Sequence, residues 1–214
     1  SIREYLTALS ENNARIKSIF SQLHGQYCTA FNSALEICTG SWVALLGQED
    51  ILPEHALFNI AKAINKHPET NLIYSDEDKI DKNGTRSEPY FKCDWNRELF
   101  YSQNFISRLG VYRRDILDEI RGFREGFPGA EDHDMALRYM EKIDSRTIHH
   151  IPKVLYHKRI HPEGVAAGVD VNASATAAGR RALQEHLDRV GVKATVDSTT
   201  IGNMVRYALP ENPP

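Results

Sequence analysis

The chain has 214 residues, which fits one domain or one domain with an appendage and is enough to bury a core. Its 41% hydrophobic and 26% charged residues exclude a disordered or collagen-like protein. The formal net charge of −3 gives no overall basic field for a phosphate backbone, which argues against nucleic acid as the main partner.

Neither the cysteines nor the apolar segments indicate a secreted or membrane-spanning protein. Cys28, Cys38 and Cys93 form no CxxC pair and are too few for a disulfide framework, so we expect a reducing compartment. The longest apolar run covers residues 42–46, far below the ~20 residues that span a bilayer. We therefore expect a cytoplasmic protein, with peripheral contact at the inner face of the membrane as the one membrane role left open.

Helical and strand-like patterns alternate in the first part of the chain. The apolar spacing predicts, in order, a helix from residue 2 to 9, a strand at 15–20, a helix at 29–39, a strand at 42–46, a helix that begins near Pro53 and a strand at 71–74. This alternation predicts an α/β sandwich with a mostly parallel central sheet.

The second part of the chain is less regular. The residue patterns predict a turn at 81–84, a structured loop at 87–96, a short strand at 111–113, a short helix at 114–120, a glycine-rich loop at 121–130, a helix at 132–142, strand material at 147–160 interrupted at Pro152, a helix at 173–190 and closing strands at 193–196 and 204–209.

Acidic residues collect where strands or loops are predicted to pass into the next element. The acidic segments are QED at 48–50, DED at 76–78 and EDHD at 131–134. Ligands of open α/β sheets bind outside the carboxyl ends of the strands, so these acids are expected to converge on one crevice. A hard divalent cation takes such oxygen ligands and would neutralise a bound diphosphate.

Segments spread along residues 28 to 210 also follow one ordered pattern. They are AFNSAL at 30–35, TGSWVALL at 39–46, DILP at 50–53, LIYSDEDKID at 72–81, PYFK at 89–92, GAEDHD at 129–134 and IPKVLYH at 151–157. The series resembles the family 2 glycosyltransferases. The resemblance implies a GT-A fold, an α/β/α sandwich in which a nucleotide-diphosphate sugar lies across the edge of the sheet.

The resemblance also implies the chemistry. The acceptor, a glycan or a lipid-linked saccharide, would attack the anomeric carbon in line and invert it. Asp132 would be the general base, beside Glu131 in the substrate site. On the residue pattern alone, Asp132 is better explained as the N-cap of the following helix, worth about 1 kcal/mol, and the resemblance reverses this preference.

The expected metal site departs from the family pattern. The family usually reads Leu-Asp-x-Asp-Asp, whereas residues 46–50 read LGQED, with Gly47 at the first acidic position. The expected ligands of Mn²⁺ or Mg²⁺ are Glu49 and Asp50, with His157 completing the shell. Asp50 fits a helix cap as well as a metal ligand.

Five further residues are candidates for substrate contacts. Asp76 and Asp78 form a literal Asp-x-Asp, with acceptor-side or loop-ordering roles expected and an acidic solvated turn as the alternative. Arg159 could meet phosphate in a bidentate manner. Trp95 either stacks on a sugar face or fills a small core, and Asn32 either positions the nucleotide or bonds backbone.

One domain is expected over residues 1–214. Residues 1–80 would be the remainder of the nucleotide-sugar half, 81–170 the acceptor and catalytic half, and 171–214 a C-terminal helix with closing strands. By the resemblance, an opening β-α-β segment is missing before residue 1, which favours a fragment or a partner that supplies it. The alternative function is a catalytically inactive, glycosyltransferase-like module that binds a carbohydrate or a partner.

Overall fold

Helices and strands alternate along the chain in a computed structural model, which describes residues 1–20, 27–160 and 168–209. The elements are α1 (Ile2–Asn12), α2 (Tyr27–Ile37), β1 (Trp42–Ala44), α3 (Ala56–Lys66), β2 (Leu72–Ile80), β3 (Arg86–Tyr90), α4 (Arg97–Ser102), β4 (Gly110–Arg113), α5 (Arg114–Glu119), α6 (Glu131–Met140), β5 (Ile148–Arg159), α7 (Gly168–Arg189), β6 (Ala194–Ser198) and β7 (Asn203–Tyr207).

Strands β1 to β5 form one mixed sheet. β5 runs parallel to β2 along its whole length, whereas β4 and β3 pair antiparallel with the other edge of β2, one after the other. β1 pairs antiparallel with β4. β1, β2 and β5 thus point the same way, and their carboxyl ends meet at one edge of the sheet. The predicted α/β class is confirmed, and β6 and β7 form a separate hairpin.

Pro152 explains an irregularity in the long strand β5. Opposite the consecutive residues Ser75 and Asp76 of β2, β5 skips from Ile151 to Val154. Proline has no N–H to donate to the ladder, so it is tolerated in a bulge of this kind. The bulge lets β5 continue past the predicted interruption to the edge of the sheet where the acidic segments lie.

Helices cover both faces of the sheet. On β2, Leu72 and Tyr74 point to one face and Ile73 to the other, as the period of two requires. The first face packs against α4, α6 and α7, which bury Leu137 and Leu183 completely. The second face packs against α3. The result is the α/β/α sandwich that the sequence predicts.

Two predicted elements are wrong. Residues 15–20 form no strand, and the alternating pattern there has no sheet to face, since Ile19 remains 48% exposed. Residues 87–96 are not a loop throughout, because they contain most of β3 and lead into α4. The start of α4 is fixed by Asn96, whose side chain accepts the Leu99 amide at 2.9 Å.

Two further features are the state of the cysteines and the apolar character of the helices. Cys28, Cys38 and Cys93 are all free thiols. Within the described ranges, none of the helices combines the length and the apolar character that crossing a bilayer requires.

α6 buries a histidine in the core beside the acidic segment at 131–134. His133 is 7% exposed, and its Nε2 lies 3.1 Å from the carbonyl oxygen of Phe100, as expected for a neutral ring that donates from Nε2. Burial lowers the pKa of His133 to about 4, against the opposing effects of the Phe100 contact and Asp134. His133 is therefore uncharged at neutral pH.

Acidification is expected to destabilise the fold through His133. In the unfolded chain the imidazole takes up its proton near pH 6.5, whereas the folded ring resists protonation down to about pH 4, so unfolding is favoured as the pH falls between these values. The free energy of unfolding should therefore fall between pH 7 and pH 5, and His133→Gln should remove about 2 kcal/mol of that fall. Urea denaturation at both pH values measures it; an identical pH dependence in the variant would contradict the assignment.

Candidate active site

Asp132 lies in the first turn of α6, and two side chains from other elements hold its carboxylate. Oδ1 accepts a hydrogen bond from the Tyr27 hydroxyl at 2.9 Å, and Oδ2 accepts one from the Arg108 guanidinium at 3.0 Å. The side chain keeps 21% of its surface exposed. The N-cap alternative is wrong, because α6 begins at Glu131 after Ala130 and has no side-chain cap.

Two sources of positive potential lie beside this carboxylate. The positive end of the α6 dipole and the Arg108 guanidinium both stabilise a carboxylate. Burial, followed by the neighbouring Asp132, raises the pKa of the Tyr27 hydroxyl. The phenol therefore stays protonated and donates, so the Asp132 carboxylate is held in one orientation.

Lys92 fixes the backbone that carries Arg108. Its side chain is fully buried, and its ammonium donates to Glu77 Oε2 at 2.8 Å and to the carbonyl oxygen of Arg108. Burial lowers the pKa of Lys92, and Glu77 opposes this shift. Because Glu77 belongs to β2, the ion pair ties Arg108 to the centre of the sheet. Sequence reasoning missed Lys92; the one available signal was a lysine in the aromatic segment PYFK.

A cleft opens at the carboxyl end of β1. We call it the β1 cleft; it encloses about 470 Å³ and is lined by Tyr27, Phe31, Arg108 and residues 45–48. Its volume falls in the range of small-ligand sites. Tyr27 and Arg108 therefore contact both this cleft and Asp132.

The loop after β1 folds back onto β5. The Tyr156 hydroxyl donates to Asp50, and the Gly47 amide donates to the Tyr156 oxygen at 3.1 Å. The second oxygen of Asp50 accepts the Arg159 amide at 2.9 Å. A Cβ at position 47 would overlap the Asp50 carboxylate, so glycine permits this fold-back. The helix-cap alternative for Asp50 is wrong, because α3 begins at Ala56 without a side-chain cap.

The same loop lies near Arg108, the partner of Asp132. Burial and the contact with Asp50 raise the pKa of the Tyr156 phenol, and the nearby Arg108 guanidinium opposes them. Arg108 thus interacts with Tyr156, the partner of Asp50, as well as with Asp132. The loop after β1 and the start of α6 are therefore both linked to Arg108, and the convergence of their acidic side chains on one crevice stays a prediction.

The predicted metal ligands occupy this region without forming a three-residue set. His157 Nδ1 lies 2.5 Å from Asp78 Oδ1, and Asp50 accepts a hydrogen bond on each oxygen. Among residues 1–20, 27–160 and 168–209, no three His, Cys, Asp or Glu side chains are grouped to hold a metal ion. Each Asp50 oxygen keeps a second lone pair. Asp50 therefore retains oxygen lone pairs for a metal that would be shared with substrate phosphates, as is common for Mg²⁺.

Asp76 and Asp78 lie inside β2 rather than beyond its end. They are only 3% and 4% exposed, so the solvated-turn alternative is wrong. Asp76 Oδ1 accepts the Lys92 amide at 2.9 Å and lies 2.9 Å from His150 Nε2. Asp78 accepts the Arg86 guanidinium at 2.6 Å. These contacts order β3 and the segment that carries Lys92.

The other three predicted residues contact protein groups. Arg159 donates to carbonyl oxygens in the loop after β1 and in the turn after β2, at 2.9 and 3.2 Å. Asn32 exchanges hydrogen bonds with the backbone of Phe123 at 2.7 and 2.9 Å. Trp95 packs on Phe100 and lines a separate cleft of about 730 Å³ near the first residue of β5. The structure does not bring Trp95 to Asp132.

A further cleft, distinct from the β1 cleft and from the cleft beside Trp95, is lined by Asp132 itself. We call it the hairpin cleft; it encloses about 530 Å³ between the start of α6, α7 and the turn of the β6–β7 hairpin at 199–203. Glu131 lines it beside Asp132. Asp132 therefore forms part of the wall of one cleft, while its two hydrogen-bond donors line the other.

No family model matches the chain. It is 46% identical over 180 residues to the uncharacterized protein y4gI of Sinorhizobium fredii, which covers 84% of this chain and 20% of that protein. It is 41% identical over 212 residues to the O-antigen biosynthesis protein RfbC of Myxococcus xanthus, which covers 97% of this chain and 16% of that protein. The chain thus spans a fifth or less of the length of these relatives.

Solved glycosyltransferases share the fold. TarS of S. aureus in complex with UDP-GlcNAc aligns with a TM-score of 0.57 at 18% identity, over 87% of this chain and 60% of that one. The mannosyltransferase PcManGT of Pyrobaculum calidifontis, in complex with GDP-Man and Mn²⁺, aligns with a TM-score of 0.51 at 14% identity, over 88% and 61%. At these identities the likeness establishes the fold.

Lys92→Met is expected to lower the free energy of unfolding by about 3 kcal/mol, because it leaves Glu77 without its cation in a mostly buried position. Adding Glu77→Leu should recover part of this loss, since the pair of changes removes both charges. Urea denaturation measures each variant. As a control, Lys79→Met breaks an exposed pair with Glu88 and should cost less than about 1 kcal/mol. Equal losses for Lys92→Met and Lys79→Met would contradict the role given to Lys92.

Proposed function

We propose that the chain is a glycosyltransferase domain of the GT-A type, which transfers the sugar of a nucleotide-diphosphate sugar onto a glycan or lipid-linked saccharide with inversion, with Asp132 as general base. The observation that carries this proposal is the location of Asp132 between two clefts. Its carboxylate lines the hairpin cleft, and it accepts hydrogen bonds from Tyr27 and Arg108, which line the β1 cleft. A donor in the β1 cleft and an acceptor in the hairpin cleft would meet at this carboxylate.

In this mechanism the acceptor hydroxyl approaches from the hairpin cleft and gives its proton to Asp132. The acceptor oxygen attacks the anomeric carbon from the side opposite the diphosphate, and the bond between that carbon and the diphosphate oxygen breaks. One carboxylate beside the acceptor suits a single displacement, which inverts the anomeric centre. Arg108 fixes the base through one N–H and has further donors for the negative charge of the donor.

A divalent ion would neutralise the departing diphosphate. Glu49 and Asp50 are the carboxylates proposed to hold it, with the phosphates of the donor as further ligands. His157, which contacts Asp78, is the third proposed ligand. Mn²⁺ in the mannosyltransferase that shares the fold supports a metal of this class.

The donor and acceptor classes rest on the similar proteins. The two solved transferases contain UDP-GlcNAc and GDP-Man, which supports a nucleotide-diphosphate sugar as the donor here. The relative from Myxococcus xanthus is an O-antigen biosynthesis protein, which supports a polysaccharide or its lipid-linked precursor as the acceptor. The remaining candidates, Glu131, Asp76, Asp78, Arg159, Asn32 and Trp95, stay proposals for substrate contacts or for the order of the site.

Asp132→Asn is expected to lower kcat by about 10³-fold, because the amide cannot accept the proton of the acceptor. Nucleotide binding should stay within about threefold of the unchanged protein, since the side chain keeps its size and its contact with Arg108. Release of nucleoside diphosphate from UDP- and GDP-sugars measures turnover. Asp115→Asn, an exposed first-turn aspartate of α5, is the control. Glycan binding that is unchanged by Asp132→Asn, in a protein without turnover, would instead support the inactive module.

The metal is expected to bind with the nucleotide rather than alone. While His157 stays paired with Asp78, Glu49 and Asp50 should hold Mn²⁺ weakly by themselves, and UDP or GDP should strengthen Mn²⁺ binding by about 10-fold or more. Calorimetric titration of Mn²⁺ with and without each nucleotide measures this coupling, and Asp50→Asn should reduce it. Tight stoichiometric Mn²⁺ binding in the absence of nucleotide would contradict the shared site.

A further inference from the structure

Two close approaches at glycines hold the walls of the hairpin cleft together. A Cβ on Gly129, whose φ is +78°, would lie 2.7 Å from the Cβ of Ala175 in α7. A Cβ on Gly202, in the hairpin turn, would lie 2.5 Å from the carbonyl oxygen of Ser102. Side chains at either position would push the walls apart. The start of α6, α7 and the hairpin are therefore held together as one built cleft of about 530 Å³.

The lining of this cleft, as far as the structure describes it, is polar and carries no Lys or Arg. Amide and hydroxyl side chains come from three segments, among them Asn104, Ser107, Thr200 and Asn203. Thr200 and Asn203 make no side-chain hydrogen bond within the described part of the chain. Neutral donors and acceptors of this kind suit the hydroxyl groups of a sugar.

The charges that face the cleft are negative. Glu131 and Asp132 supply two carboxylates, and His133 is uncharged at neutral pH. The Arg108 guanidinium is engaged by Asp132 and belongs to the β1 cleft. The sequence stretches 21–26 and 161–172 contain no Lys or Arg that could add a cation.

We infer that the hairpin cleft selects an acceptor whose terminal sugar is uncharged and rejects uronic acids and other anionic sugars. The inference rests on the proposed function, since it names the acceptor class of the same site. A carboxylate on the acceptor sugar would lie near Glu131 and Asp132, and the described lining offers no Lys or Arg to pair with it, because Arg108 is engaged by Asp132 and lines the other cleft. Like charges juxtaposed in a binding site discriminate strongly between partners.

Matched glycosides that differ only at C6 test this selection. The methyl glycosides of glucose, galactose and mannose are each compared with the corresponding uronic acid, by NMR titration of the ¹⁵N-labelled chain at low salt and pH 7. At least one neutral glycoside should shift the NMR signals of the backbone amides at 199–203. The same glycoside should bind about 10-fold more tightly than its uronate. The difference in affinity between each neutral glycoside and its uronate should decrease near 1 M NaCl, because the Debye length there is only ~3 Å and charges farther apart are screened from each other.

A charge added to the cleft should shift the preference towards the uronates. Thr200→Lys places a cation in the hairpin turn and should strengthen uronate binding by about 10-fold. Thr195→Lys adds the same charge to an exposed position of β6 outside the cleft and should leave the preference unchanged. Both variants alter exposed positions of the same hairpin, so their folding can be compared directly.

Titration of the same sample with UDP and GDP separates the two proposals. Equal or tighter binding of the uronates, or failure of all glycosides to bind while a nucleotide binds, overturns the acceptor inference and leaves the glycosyltransferase proposal standing. Failure of both nucleotides and all glycosides to bind overturns both.

Discussion

The ammonium of Lys92, buried between Glu77 and the Arg108 carbonyl, is the constraint on which the site depends. An ammonium removed from water is costly, and it persists here because an ion pair and a carbonyl satisfy it. Through it, the segment that carries Arg108 is anchored to the central strand β2. The Arg108 guanidinium in turn orients Asp132. A chain of polar contacts thus runs from the middle of the sheet to the proposed base.

The site is assembled from distant parts of the chain. Tyr27 comes from α2, Arg108 from the segment before β4, and Asp132 from α6. A second buried network keeps α6 in place: Asp134 is fully buried and accepts hydrogen bonds from Arg124 and Arg138. Because these contacts fix α6 independently of any ligand, the carboxylate between the two clefts is preorganised, which is what proton transfer in one step requires.

Local patterns predicted most of the elements, because β2, α6 and α7 bury clear apolar faces. The alternating pattern at 15–20 led to a wrong prediction of a strand, because alternation produces a strand only where a sheet is available to pair with it. The family resemblance pointed to Asp132, but no sequence pattern could indicate its partners Tyr27 and Arg108, which lie 105 and 24 residues away. The roles of Gly47 and Lys92 likewise depend on contacts between strands and loops that only the folded chain brings together.

The stereochemistry of donor cleavage tests the central claim most directly. Without an acceptor, water can take its place, and ¹H NMR reports the anomer of the sugar that is first released from an α-linked donor such as UDP-GlcNAc or GDP-mannose. A single displacement assisted by Asp132 predicts initial release of the β anomer before mutarotation. Initial release of the α anomer would mean retention and would contradict a mechanism in which Asp132 acts as the base of one inverting step.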